Sequence, residues 1–205
     1  MGEIRDANRS KKSIIVAATK LFAKDGFDGV SVDAIAKEAG VNKAMLYYYY
    51  KNKSKLYEVV VDMVLEDIYK TVLEKNSQHK KPIDKLYSFI ETFAKYAKAN
   101  PHLSFFMLNE LASDGKKLPR DMFLGLRKIF GLLVDILKEG EKKGCFKKTK
   151  PIIVHFMIVG AINLFISTKN LRKSVEDELG AEVCNECKID EVARYLYDYI
   201  TKGIS

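Results

Sequence analysis

The sequence predicts an all-α protein, with a compact N-terminal unit of three short helices followed by a larger domain of longer ones. Three observations carry this. Apolar residues recur at spacings of three and four along nearly the whole chain, and no stretch shows the alternation between Gly-rich turns that marks a strand. Only four Pro and twelve Gly interrupt 205 residues. Capping residues (Ser31, Asn42 and Asn52) stand just ahead of apolar runs, where helices begin.

The first helix starts near Asn8 or Ser10 and lines up Ile14, Ala17, Ala18, Leu21 and Phe22; Gly26 stops it in a left-handed cap, and Phe27 packs back. Ser31 caps a second helix carrying Val32, Ile35, Ala36 and Ala39, with Asp33 at the positive end of the dipole and Gly40 as its stop. Asn42 caps a third through Tyr49. A fourth begins between Asn52 and Ser54 and presents Leu56, Val59, Val60, Met63, Val64 and Ile68 on one side before the polar residues 75–79.

Pro82 opens a fifth helix with Ile83, Leu86, Ile90, Phe93 and Ala97 on one face, ending at Asn100 before Pro101. A sixth covers residues 103–111. Ser113, Asp114 and Gly115 form a loop, and Pro119 opens a seventh helix carrying Met122, Leu126, Ile129, Leu133, Ile136 and Leu137, finished by Gly144. Residues 152–166 are the most apolar stretch. They number 15, interrupted by His155, Gly160 and Asn163, short of the about 20 that a membrane span needs. Such a helix needs cover on nearly every side: one side meets its own core, another a second subunit. In the last helix Ile189, Val192, Ala193, Leu196 and Ile200 form a stripe that Tyr195 and Tyr199 extend around the side. Two such helices from each of two chains make a four-helix seam, so a homodimer through the last two helices is expected.

Composition narrows the class of function. An apolar fraction of 47% and 11% aromatics exclude a disordered chain, and three Cys exclude a disulfide-built scaffold. The polar N-terminus does not resemble a signal peptide, so a cytoplasmic location is expected. The formal net charge is +8, of which residues 1–55 hold +5 and the other 150 residues +3. A concentrated positive charge suits a nucleic-acid partner, and a solvated basic surface accounts for it equally well until motifs are considered.

The decisive segment runs from Ser31 to Leu56, SVDAIAKEAGVNKAMLYYYYKNKSKL. Two short helices joined by the turn Ala39, Gly40, Val41, Asn42 make a helix-turn-helix. Ile35, Ala36, Val41, Leu46 and Tyr50 are spaced to seal it against the first helix, leaving Lys43, Ala44, Met45, Tyr47, Tyr48 and Tyr49 on or near the outside. A third helix of this length fits a major groove about 12 Å wide with its N-terminal residues at the base edges. Lys43 can reach guanine O6 or N7, Ala44 and Met45 face bases, and Tyr48 can lie against thymine methyls. Tyr47 and Tyr49 suit phosphate oxygens. Ser31 and Lys53 begin helices whose N-terminal amides form anion sites. Arg5, Arg9, Lys11 and Lys12 either follow phosphates or form a frayed basic tail.

This segment resembles the DNA-binding domain of the tetracycline-repressor (TetR) family, whose pattern reads approximately T/S, then IA, AGVSKGTLYYHF and KSKEEL. Ser31, Ile35 and Ala36, the run from Ala39 to Lys53, and Leu56 occupy those places; Ile14, Ala17, Ala18, Leu21, Phe22, Gly26 and Phe27 match the family's first helix. The resemblance covers about residues 8–57. It departs at Ala44, Met45 and Tyr49, where the family often has Gly or Pro, a small residue such as Thr, and His.

The resemblance implies an all-α fold divided into a helix-turn-helix DNA-binding domain (1–53) and a helical ligand-binding and dimerisation domain (54–205). It also implies a ligand-responsive transcriptional regulator, a repressor released from a palindromic double-stranded DNA operator by a small apolar effector. Residues placed for that effector are Phe93, Phe105, Phe106, Met122, Phe123, Leu126, Phe130 and Met157, with Asn109 or Asn163 as polar anchor; ordinary core packing accounts for any one of them. Gly125, Gly131 and Gly160 point to a cavity or a helix crossing. A helical small-molecule-binding or adaptor protein that does not read DNA is the alternative.

No enzyme constellation is visible: HExxH, GxSxG and phosphate-cradling GxxxxGK[ST] are all missing, and neither a cofactor nor a metal is expected. Cys184 and Cys187 form a CxxC ahead of the last helix. A structural zinc needs four ligands, and only Cys145 and His155 remain as distant candidates, so the two read as surface thiols.

Overall fold

The computed structural model describes residues 2–112, 122–180 and 187–204. Among the described residues ten helices follow in chain order: α1 Gly2–Gly29, α2 Val32–Ala39, α3 Lys43–Tyr50, α4 Lys53–Ser77, α5 Pro82–Ala99, α6 Pro101–Ala112, α7 Met122–Lys142, α8 Pro151–Ser167, α9 Lys169–Leu179 and α10 Ile189–Ile204. No strand occurs among the described residues, so the all-α class holds.

The N-terminal unit closes around Ile14, Ala17, Ala18 and Phe22 of α1, Ile35 and Ala36 of α2, Leu46 and Tyr50 of α3, and Leu56 and Tyr57 of α4, all buried. Gly26 interrupts α1 with φ 70°, ψ 175°. This break lets Phe27 return to within 6.1 Å of Phe22, and the Tyr57 ring stands edge-on to both at 5.0 Å.

The second layer packs α5 against α4, α7, α8 and α10. Helix α4 runs unbroken through both units and supplies Val60, Val61, Leu65, Ile68 and Val72 to the larger core. The buried stripe of α4 is rotated from the expected one. Tyr57, Val61 and Leu65 join it, Val59 and Val64 are half-buried, and Met63 is exposed. Four helices surround α4, so its inner face is wider than a single row. In α5, Leu86, Ile90, Phe93 and Ala97 are buried as the spacing predicts, and Ile83 at the helix start is exposed.

Pro101 opens α6 directly after the Asn100 cap of α5. The predicted loop at Ser113, Asp114 and Gly115 and the start at Pro119 lie outside the described residues. Helix α9 is a further departure. Its sequence is mostly polar, with only Leu171, Val175 and Leu179 in one row, and it separates α8 from α10, so the two helices expected to form the seam are not consecutive. Ala193 and Ile200 of α10 are buried, Ile189, Val192 and Leu196 half-buried, and the helix packs chiefly on α5, where Tyr197 meets Tyr87 edge-on at 5.2 Å.

On α8, Val154, Ile158 and Ile162 face the core, while Ile152, Ile153, Phe156, Met157 and Leu164 are exposed in this chain. No single helix among the described residues is long and apolar enough to cross a membrane; α8 and α9 reach that length only together, across a 66° bend. Cys187 is disulfide-bonded, which corrects the reading of a free thiol pair, whereas Cys145 is free; Cys184 lies outside the described residues.

Candidate nucleic-acid interface

The reading surface is assembled from two capped helices and one turn. Ser31 Oγ accepts the Ala34 N–H at 3.0 Å, and Asn42 Oδ1 accepts the Met45 N–H at 2.8 Å. Each cap satisfies an amide that the first helical turn leaves unpaired. Between them Gly40 adopts φ 67°, ψ 32°, a left-handed conformation that a Cβ would strain, and the Val41 N–H returns to Ala36 O at 3.0 Å.

The turn sets Leu46 and Tyr50 inward, as expected for Tyr50, whose hydroxyl reaches Lys11 O at 3.4 Å. The opposite face of α3 presents Lys43, Ala44, Tyr47 and Tyr48 to solvent. Tyr48 is 82% exposed and Tyr47 43%, while Met45 and Tyr49 are half-buried. Tyr49 is held between neighbours: Tyr48 stands edge-on at 5.2 Å, and the Lys11 ammonium lies 5.2 Å from its ring centre. Four successive tyrosines thus divide around the helix into one core residue, one wedge and two exposed rings.

Two lysines have partners within the chain. Lys43 Nζ stands 2.8 Å from Asp33 Oδ2, bridging α3 to α2, and that hydrogen bond raises the ammonium above its ordinary pKa. Both partners are exposed, so the pair is weak and open to exchange. Lys53 turns inward. Its ammonium donates to Phe27 O at 2.9 Å and Val30 O at 3.0 Å and sits 4.3 Å from the Phe27 ring centre. Its side chain therefore ties the end of α1 to the start of α4 instead of facing outward, and only the backbone of that first turn remains for an anion. The α4 cap is Asn52, whose Oδ1 accepts the Lys55 N–H at 2.8 Å.

In the larger unit, the effector residues read from sequence do not all converge. Phe93 and Asn163 are buried, Leu126 and Phe130 half-buried, whereas Phe105 and Met157 are each 44% exposed and face outward. The side chains of Phe106, Asn109, Met122 and Phe123 lie outside the described residues. Asn163 is 1% exposed, and neither Nδ2 nor Oδ1 has a hydrogen-bond partner. Two residues missed by sequence reasoning share this condition: Ser104 Oγ on α6 and His155 Nδ1 on α8. The signal for His155 was its place inside an apolar run. Burial holds its pKa below the ordinary value, keeping the ring neutral, and Phe130 stands edge-on to it at 5.3 Å.

The three glycines divide. A Cβ on Gly125 would lie 2.9 Å from Leu65 Cβ, so that position is a crossing of α7 over α4; at Gly131 and Gly160 a Cβ would meet nothing within 4 Å. Among the described residues no group of three His, Cys, Asp or Glu is placed to hold a metal ion.

A capped helix-turn-helix with an exposed aromatic reading face, mounted on a helical bundle, defines a DNA-binding transcriptional regulator. Comparison with known proteins agrees. Residues 14–60 match the model of the bacterial regulatory proteins, tetR family, and residues 60–177 that of the YsiA-like protein, C-terminal region. The chain belongs to the TetR family. It is 21% identical over 202 residues to the HTH-type transcriptional repressor NicS of Pseudomonas putida, covering 98% of this chain and 94% of that one. To the biofilm operon icaADBC HTH-type negative transcriptional regulator IcaR of Staphylococcus aureus it is 34% identical over 83 residues, 40% of this chain and 45% of that one. Among solved structures, a TetR family regulator from Marinobacter aquaeolei superposes with a TM-score of 0.77 at 20% identity, covering 100% and 98% of the two chains. FadR from Bacillus subtilis, in complex with stearoyl-CoA, superposes with a TM-score of 0.73 at 20% identity, covering 95% and 100%.

Proposed function

We propose that the protein is a homodimeric repressor acting in the cytoplasm, whose two α3 helices enter successive major grooves of a near-palindromic operator and are released by a small apolar effector. The observation that carries this reading is the outward face of α3: an aromatic ring 82% exposed at Tyr48, beside Tyr47, Ala44 and Lys43, costs hydration unless a partner covers it. Lys43 exchanges Asp33 for a guanine edge, Tyr48 meets thymine methyls, Ala44 and Met45 set the adjoining contacts, and Tyr47 and Tyr49 hold phosphates. Ser31, Asn42 and Lys53 contribute through the first-turn amides of α2, α3 and α4. The functional division falls at 53/54, where α4 leaves the reading head.

Asn163, buried and unpaired, supports an effector with a polar group inside the larger unit, to which Phe93, Leu126 and Phe130 contribute apolar surface. The stearoyl-CoA bound by FadR supports an effector with a long apolar portion. Effector binding shifts the dimer toward a geometry in which the two α3 helices no longer match half-sites about 34–36 Å apart.

Fluorescence anisotropy with the DNA upstream of the protein's own gene tests the assignment. Tyr48→Ala lowers specific affinity by about 1–3 kcal/mol, roughly 5–150-fold, without changing the melting temperature. Wild-type affinity in this variant would mean that α3 is not the reading element.

A further inference from the structure

Given the effector reading above, on which this rests, we infer that the effector is recognised through an uncharged group that both donates and accepts hydrogen bonds, a carboxamide in its simplest form, seated between α6 and α8 on Ser104 and Asn163. Among the described residues the buried polar side chains are Asn76, Ser88, Ser104 and Asn163. Asn76 Nδ2 donates to Lys85 O at 2.7 Å, whereas Asn163 is 1% exposed and leaves both Nδ2 and Oδ1 unpaired. A helical hydroxyl ordinarily settles on a carbonyl of its own helix, as those of Ser167 and Thr168 do on Asn163 O and Leu164 O, both at 2.7 Å. Ser104, wholly buried, does not: its Oγ has no partner. Polar groups buried in this state cost stability until something completes them.

The two unpaired groups share one helix contact. Helix α6 packs on α8 as well as on α1, and Pro101 at its start lines the same cavity as Ile166 near the end of α8. Because α8 ends at Ser167, α6 lies along it only by running back from there. Ser104 is one turn past Pro101 and Asn163 one turn before Ile166, each on the same face as that neighbour, so the two polar side chains come to adjoining turns. Met107, Val159 and Ile166, half-buried against the core, continue the two rows as apolar flanks. A Cβ on Gly160, one turn before Asn163, would meet nothing within 4 Å, so room for a ligand adjoins the amide.

The seat is neutral. No Lys, Arg, Asp or Glu is buried among the described residues. The Arg172 guanidinium is engaged elsewhere: Nη1 donates to Phe165 O and, at 2.9 Å, to Thr168 Oγ1, and the group lies 3.9 Å from the Phe165 ring centre. Phe165 leaves α8 about 200° around the helix from Asn163. An ionic group brought to Asn163 would therefore give up its hydration with no counter-charge to replace it. An asparagine amide matches a second carboxamide in full, donating from Nδ2 to its oxygen and accepting at Oδ1 from its nitrogen, and Ser104 Oγ adds a further donor and acceptor. An ester, which only accepts, satisfies part of this set.

Isothermal titration of the full-length protein at neutral pH with octanamide, octanoate and octylammonium tests this, since the three share one apolar chain and differ in head group. Octanamide is expected to bind at one site per chain, about tenfold tighter than either ion. Asn163→Leu, which keeps the side-chain volume and fills the seat with apolar atoms, should lower octanamide affinity about tenfold with helical circular dichroism unchanged. Ser104→Ala, the milder change, should lower it about threefold. An ion that binds as tightly as the amide, or octanamide binding undiminished in both variants, overturns this assignment and leaves the effector reading in place. No heat from any of the three compounds overturns both.

Discussion

Lys53 illustrates how one side chain can be read correctly in type and wrongly in direction. A lysine at the head of α4 invites a phosphate contact, yet its ammonium is enclosed by Phe27 O, Val30 O and the Phe27 ring. Lys53→Met keeps the aliphatic stem and deletes two charge-assisted hydrogen bonds, so a loss of about 1–3 kcal/mol of stability is expected in urea unfolding. The slope of log affinity against log salt for operator DNA should stay unchanged; a slope smaller by about 1 would instead make Lys53 a phosphate contact. Asn163 poses the opposite problem, a polar group where apolar atoms fit. With both side-chain polar atoms buried and unpaired, Asn163→Leu should stabilise the effector-free protein by about 1 kcal/mol. Thermal denaturation checks this, and a clear fall in melting temperature would mean that Asn163 serves the folded core alone.

Between elements, geometry is set by caps and crossings more than by helix propensity. Helices α2 and α3 each have only eight residues, too few to persist alone, so their mutual angle depends on the Gly40 turn and the Asn42 cap. Asn42→Ala removes the bond to the Met45 amide and should lower stability by about 1 kcal/mol in chemical denaturation. The same variant should weaken operator binding beyond that loss if, as proposed, the first turn of α3 meets the bases. Binding unchanged once folding is allowed for would show that the cap merely stabilises. Helix α4 carries the coupling: Leu56 and Tyr57 belong to the reading head, Val60 to Val72 to the larger core, with no break between. Because Lys53 joins the start of α4 to Phe27 O and Val30 O, a tilt of α4 is expected to move the α1–α2 junction.

At the scale of the whole molecule, the unpaired surface of α8 and α10 is the principal apolar feature. Ile153, Phe156, Met157 and Leu164 on one helix and Tyr195 and Tyr199 on the other are each at least 44% exposed, a patch expected to be covered by a second copy. Phe156→Glu places a charge at its centre. Sedimentation velocity should then report a monomer, with operator affinity falling because one reading head makes half the contacts; a persisting dimer would move the interface elsewhere.

Much of this architecture was legible in the chain, because helix starts, stops and inward faces are local properties. Ser31, Gly40, Asn42 and the spacing of Ile35, Ala36, Leu46 and Tyr50 determine the helix-turn-helix from neighbouring residues alone. The reading face was legible for the same reason: once Leu46 and Tyr50 point inward, Tyr47 and Tyr48 must point outward. Effector residues were less legible. Phe105 and Met157 have the composition of a pocket, but exposure depends on which helices lie alongside, and the spacing within α6 or α8 does not specify that. Helix α9 escaped notice because it is short and mostly polar, its apolar row limited to Leu171, Val175 and Leu179. By itself the sequence determined the fold class, the reading helix and its caps, all decided within a few turns of chain. Only the tertiary structure decided that Lys53 locks inward and that Asn163 is buried without a partner. Such juxtapositions arise from long-range packing, which no local pattern records.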